Sequence, residues 1–294
     1  MKDKQRLLVL GVVLSATTFK ANASLTSYTA NGVDFVSMQG GGFDVSFTKD
    51  GNLFKTLASS YIGGASAFVN AVIASVPGGK INDTPNYYDT PSNSGYHTLS
   101  SNDFYFSATG LVNWFGAQAF IGYLNSISYG GSSEWQLPKV TDTGKAGCDY
   151  AYSGTDCGYN VDTSTNALAQ LYYGELNKTA YLNTNGIGPQ GGYGIFDNNG
   201  DQIPGGAVDP FVNVQSYVYW SGSEYSTYSG SGWNFNLSNG EQFGTSKGTE
   251  FYVWAISPGQ VAVVSVPSAF WLFGTGVLGF LRLKRRDQCA IQRN

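Results

Sequence analysis

Charge, histidine and methionine are scarce in this chain: of 294 residues 12% are charged, two are Met and one is His. A typical protein carries about twice that share of charge. The deficit does not describe a polytopic membrane protein, because the mean hydropathy is only −0.15. Nor does it describe a disordered chain, since 18 Phe, 20 Tyr and 6 Trp supply ample apolar area for a core. Arginine is missing from the whole stretch between Ser24 and Val266; the five arginines are Arg6, Arg282, Arg285, Arg286 and Arg293. That stretch holds 7 Lys against 18 Asp and Glu, a net of −11. Neutralising phosphates or sulfated glycans takes clustered cations, so nucleic acid and heparin-like partners are disfavoured. The single imidazole, His97, sits in the polar run Ser94-Gly95-Tyr96-His97-Thr98. It reads as a solvent-exposed residue rather than the base of a Ser or Cys nucleophile. Glycine, by contrast, is abundant at 39 residues. The size fits one domain of about 240 residues or two small ones.

Both ends read as addresses. Lys2, Lys4 and Arg6 precede the apolar run Leu7 to Leu14, and Ala21-Asn22-Ala23 is a small-x-small cleavage pattern. Residues 1–23 are therefore expected to be a signal peptide cut between Ala23 and Ser24. Val261 to Leu281 is 21 residues without a charge, about 31 Å as a helix, and is interrupted at Pro267. Arg282, Lys284, Arg285 and Arg286 follow, which places the tail on the cytoplasmic side and the body outside. The expected layout is a body over 24–262, a sorting and transmembrane segment over 263–286, and a cytoplasmic tail over 287–294.

Cysteine usage fits export. Cys148 and Cys157 are expected to pair in an oxidising compartment, closing a short loop for about 2–3 kcal/mol, while Cys289 in the tail stays a thiol. Zinc is the weaker reading, because no His is near and no second pair completes a tetrahedral site.

Within the body, Val33 to Val36 and Phe43 to Phe47 suit strands. Ala65 to Val76 and Val112 to Asn125 read as helices, and Thr163 to Leu176 as a third. Lys80 to Asn102 has the composition of a surface loop, and Gly-rich loops follow from Gly186 to Gly206. Tyr217 to Trp220, Trp233 to Leu237 and Phe251 to Ala255 read as strands, and Asn239-Gly240 signals a type I′ hairpin. The fold class expected is α+β.

Several blocks carry a resemblance. Ser133-Glu134-Trp135-Gln136-Leu137-Pro138 resembles the DWRLP signature of the Lcl C-terminal-type domain, a family of unknown function in exported bacterial proteins. The likeness continues through Tyr219-Trp220-Ser221-Gly222-Ser223-Glu224-Tyr225 and Trp233-Asn234-Phe235, and ends at Tyr252-Val253-Trp254-Ala255-Ile256-Ser257-Pro258-Gly259. Asp50-Gly51-Asn52-Leu53-Phe54-Lys55-Thr56 and Trp114-Phe115-Gly116-Ala117-Gln118-Ala119 resemble the family's first half. The signature positions are Trp135, Leu137, Pro138, Trp220, Glu224, Trp233 and Trp254; where the family has arginines this chain has Gln136 and Ser257. The resemblance implies a C-type lectin-like fold, with two or three helices against twisted antiparallel strands and long loops. A C-terminal transmembrane helix would follow. Val266-Pro267-Ser268-Ala269, the run from Phe270 and the basic tail resemble a PEP-CTERM sorting signal of the VPLPA-like kind, without its Glu-Pro. That resemblance implies an exosortase-type membrane protease as partner, and inner-membrane anchoring with release to the surface or matrix.

The chemistry expected is binding, not catalysis. Asp197-Asn198-Asn199-Gly200-Asp201 alternates oxygen ligands as calcium loops do, but Gln202 and Val208 occupy the positions of the required Gly and Glu. No metal or other cofactor is therefore expected. The functional expectation is a non-catalytic binding or structural role in the envelope or extracellular polysaccharide, with polysaccharide or an envelope protein as partner. The alternatives are a calcium- or glycan-dependent surface adhesin and, less favoured, an enzyme of the formylglycine-generating fold type.

Overall fold

The computed structural model describes residues 24–143, 152, 155–195, 206–208 and 210–263. Ala23 and the signal segment, Cys148, the Asp197–Asp201 run, Cys289 and the sorting residues Val266, Pro267, Arg282, Lys284, Arg285 and Arg286 lie outside the described residues. The chain folds as a mixed α+β body with antiparallel sheets and few helices. Among the described residues no single helix is long and apolar enough to cross a membrane.

Three strands open the chain: β1 (Ser24–Ala30), β2 (Val33–Gly40) and β3 (Phe43–Thr48). They form an antiparallel meander. Asn31 and Gly32 join β1 to β2 with φ of 52° and 77°, the left-handed pair that a two-residue type I′ turn requires. β2 alternates between two cores: Phe35 packs with the helices, whereas Val36 and Met38 pack on the opposite face of the sheet.

The helices follow. α1 (Leu53–Ser60) was not evident in the sequence; Asp50 starts it by accepting from the Asn52 N–H at 2.8 Å and the Thr56 hydroxyl at 2.6 Å. α2 (Gly64–Ser75) and α3 (Trp114–Ser126) match the sequence expectation. Phe54, Phe68, Phe104 and Phe120 interlock there, and each buried ring contributes roughly 1.5–3 kcal/mol. α3 is buried almost all round, and a Cβ at Gly116 would stand 2.4 Å from the Asp103 carbonyl oxygen, so the close approach needs glycine.

The region expected to be a surface loop, Lys80 to Asn102, is instead a pinned excursion. β4 (Lys80–Asn82) pairs with β5 (Tyr96–Thr98), and Asn86 and Asp89 between them are buried as turn-capping groups. Asp89 Oδ2 accepts from the backbone N–H groups of Asn86 and Gly95 at 3.1 and 2.7 Å. Asn86 and Asp89 are polar because they bond to backbone at the turns, while Thr84, Thr90, Ser92, Asn93 and Thr98 stay exposed at the surface as expected.

The third expected helix is only partly α. A 3₁₀ turn over Thr163–Thr165 leads into α4 (Ala167–Ala169), then a π turn over Gln170–Glu175. Within this wider turn Tyr172 and Tyr173 both pack against Phe235.

The remaining strands are β6 (Gly206–Val208), β7 (Phe211–Val214), β8 (Val218–Glu224), β9 (Ser231–Asn236), β10 (Glu241–Ser246) and β11 (Ile256–Pro258). β6 pairs with β7, β8-β9-β10 form a three-stranded antiparallel sheet, and β11 closes the first sheet beside β3. Two expectations need correction. The β9–β10 loop has four residues, and only Gly240, not Asn239, has positive φ, so it is not type I′. Phe251 to Ala255 is not a strand; single bridges from Phe251 to Val112 and from Tyr252 to Tyr219 hold it, because it crosses between two sheets.

Candidate functional site

The signature residues are struts. Trp135, Leu137, Trp220, Trp233 and Trp254 are all buried. Each indole among them donates its N–H inside the fold: Trp135 to the Tyr129 carbonyl, Trp220 to that of Val112, Trp233 to Asp142 and Trp254 to the Thr48 carbonyl, at 2.7–3.0 Å. The Pro138 carbonyl accepts from the Ser221 hydroxyl and the Gly222 N–H. Gln136 and Ser257 prove to be neighbours across the Gln136–Ile256 bridge. Ser257, 1% exposed, shares a 2.9 Å hydroxyl pair with Ser132.

Glu224 leads to a charge centre that sequence reasoning missed. Lys247, just after β10, is fully buried; its Nζ donates to Asp83 Oδ2 at 2.7 Å and to Glu224 Oε1 at 2.6 Å. The ammonium also lies 4.5 Å from the Trp114 ring centroid. Glu224 in turn accepts from the Thr84 hydroxyl and N–H, so Lys247 and Glu224 together clamp the β4–β5 excursion onto the β8–β10 sheet. Burial holds the Asp83 carboxyl above its ordinary value despite the lysine. At Glu224, burial is outweighed by the bonds from Lys247 and Thr84, and its value falls below the ordinary one.

His97 is not the exposed residue expected. It stacks on Phe115 with centroids 3.9 Å apart, its Nδ1 lies 2.6 Å from the Tyr88 carbonyl, and its Nε2 lies 2.9 Å from Asp103 Oδ1. Both ring nitrogens face acceptors, so both are satisfied only in the imidazolium form. Burial alone would lower its pKa; the bonds to Asp103 and Tyr88 win, and it is raised. Asp103 is also held by Asn113 and by the capping box at Ser100. Glu250 has a buried, unpartnered Oε2, and burial pushes its carboxyl up to about 8. Cys157 is disulfide-bonded. Lys247, His97 and Cys157 are spent on the fold, and among the described residues no group of His, Cys, Asp and Glu is arranged to hold a metal ion.

An open concave surface lies elsewhere, between α1 and the connection from β7 to β8. This cleft of about 440 Å³ is lined by Asn52, Lys55, Thr56, Ser59, Ser60, Asn213 and Gln215. The residues from α1 recur at three- and four-residue spacing on its outward face, while Leu53, Phe54 and Ala58 bury the other face. Asn52 and Thr56 fall within the block that carries the resemblance, but nothing in the sequence brings Asn213 and Gln215 opposite them. A second depression, lined by Asp34, Lys49, Asp50, Thr56 and Tyr129 among others, shares Thr56; there Lys49 already pairs with Asp34 at 3.6 Å.

No family model, curated protein or solved structure matches this chain.

Proposed function

We propose that the chain is an exported envelope or extracellular-matrix protein whose body is a non-catalytic binding module of C-type lectin-like architecture. In this reading residues 1–23 direct export, and the segment 263–286, with Val266-Pro267 and the basic Arg282, Lys284, Arg285 and Arg286, holds the body at the inner membrane for an exosortase-type protease. The observation that carries the binding reading is a contrast within the body. Lys247, His97 and Cys157 are consumed by internal bonds, whereas the α1 cleft presents amides and hydroxyls to solvent. The charge partition supports the export reading, because every arginine lies in an end segment.

Intact mass of the native protein from membrane and culture-supernatant fractions tests it. A species beginning at Ser24 is expected, ending near Val266 if released or retaining Cys289 if tethered. An uncut 31.4 kDa chain confined to the cytosol would overturn the reading.

A further inference from the structure

We propose that the cleft between α1 and the β7–β8 connection binds a neutral saccharide segment. This rests on the binding-module reading and adds the site and the ligand class.

Several hydrogen-bonding groups of the cleft remain free. The Thr56 hydroxyl donates to Asp50, and the Ser60 hydroxyl to the carbonyls of Thr56 and Leu57. The Gln215 side-chain N–H donates to the Asn213 carbonyl at 2.8 Å, which leaves the Gln215 side-chain oxygen. Among the described residues the Ser59 hydroxyl, the Asn213 amide and the Lys55 ammonium make no such bond. The cleft therefore offers donors and acceptors in mixture. A sugar hydroxyl both donates and accepts, so amides and hydroxyls match it. An anion needs several donors, and Lys55 is the only cation in the lining, on a body of net −11. An apolar ligand would leave the polar lining unpaired.

The cleft is also preorganised. The Gly51 N–H donates to the Val212 carbonyl at 2.8 Å and the Val212 N–H to the Lys49 carbonyl at 3.0 Å, so the two walls are zipped together at their base. A Cβ at Gly51 would stand 3.0 Å from Val214 Cα, and only glycine permits this approach without a shift. Asn213 is held at φ 56°, and the Tyr219 hydroxyl accepts from the Gln215 N–H at 2.7 Å. Fixed walls lower the ordering cost of binding. The volume also lies within the range of small-ligand sites.

Calorimetric titration of the full chain in a zwitterionic detergent tests this. The probes are cellopentaose, maltopentaose and an N-acetylglucosamine pentamer, with an oligogalacturonate as the anionic comparator. At least one neutral probe is expected to bind. The double variant Ser59→Ala/Asn213→Gly should weaken it roughly tenfold or more, as loss of two hydrogen bonds implies; glycine accepts the left-handed backbone at position 213, so the melting temperature should stay within about 2 °C. Lys55→Met, which removes one of the lining donors, should weaken neutral binding severalfold without abolishing it. Binding of the oligogalacturonate alone, abolished by Lys55→Met, overturns the neutral class. Binding untouched by the double variant overturns the site. No heat with any probe at about 10 mM overturns the saccharide assignment. The mass measurement judges export separately, so the two failures are distinguishable.

Discussion

Replacing Lys247 by Met should destabilise the protein by about 3–5 kcal/mol at neutral pH. The substitution keeps an apolar stem and removes the ammonium, together with its contact over the Trp114 ring. Two short charge-assisted bonds go with it, each contributing roughly 1.5–3 kcal/mol. Asp83, with a side chain 0% exposed, keeps the Asn86 amide but no counter-charge; Glu224, 26% exposed, keeps Thr84 and some water. The loss must also depend on pH. Glu224 has a lowered folded-state pKa, so its contribution is present above the unfolded value of 4.5 and disappears as pH falls through the folded value. Asp83, raised by burial, behaves oppositely: its contribution is present in acid and is lost as pH rises through its folded value. Without the lysine both carboxyls hold protons to higher pH. The folded variant then binds more protons than the wild type, and the stability gap between them widens as pH rises. Urea melts of the full-length protein, read by tryptophan fluorescence at about pH 7 and about pH 4, should show a large gap at the first and a small one at the second. The double variant Asp83→Asn/Lys247→Met should recover much of the loss, since a buried pair replaced on both sides costs little. A Met variant within about 1 kcal/mol of wild type at neutral pH, or a loss that does not vary with pH, would refute the clamp.

His97 should titrate above 6.5 by NMR, and its contribution, complete below that value, should fade as pH rises through the folded-state pKa; Asp103→Asn should bring the titration down. Glu250 should be mostly protonated at neutral pH. Its raised value means stability present below 4.5 and lost as pH climbs through about 8, so Glu250→Gln should flatten the alkaline side of the stability profile. Gly116→Ala should cost about 1–3 kcal/mol in a thermal or urea melt, because the new Cβ meets the Asp103 carbonyl at 2.4 Å rather than a side chain that can swing away.

Local pattern was enough wherever a segment decides its own conformation. The alternation in Val33 to Val36 and Phe43 to Phe47, the apolar face of Val112 to Asn125 and the stop at Pro77-Gly78-Gly79 each announced the element found there. The partition of charge between the ends and the body is likewise a property of the sequence alone. Tertiary structure decided what depends on partners far along the chain. Lys247 is one lysine among several until the fold brings Asp83 and Glu224, 164 and 23 residues away, onto its ammonium and excludes water. His97 looked solvated because its neighbours are polar, and it is held because Asp103, Tyr88 and Phe115 surround it. Phe251 to Ala255 alternates like a strand, yet it bridges two sheets and belongs to neither ladder. The α1 cleft needs its second wall from Asn213 and Gln215, more than 150 positions away. Periodicity reports which face of a segment is apolar; the identity of the group that meets a buried charge, or faces a helix across a cleft, is set only when the chain closes on itself.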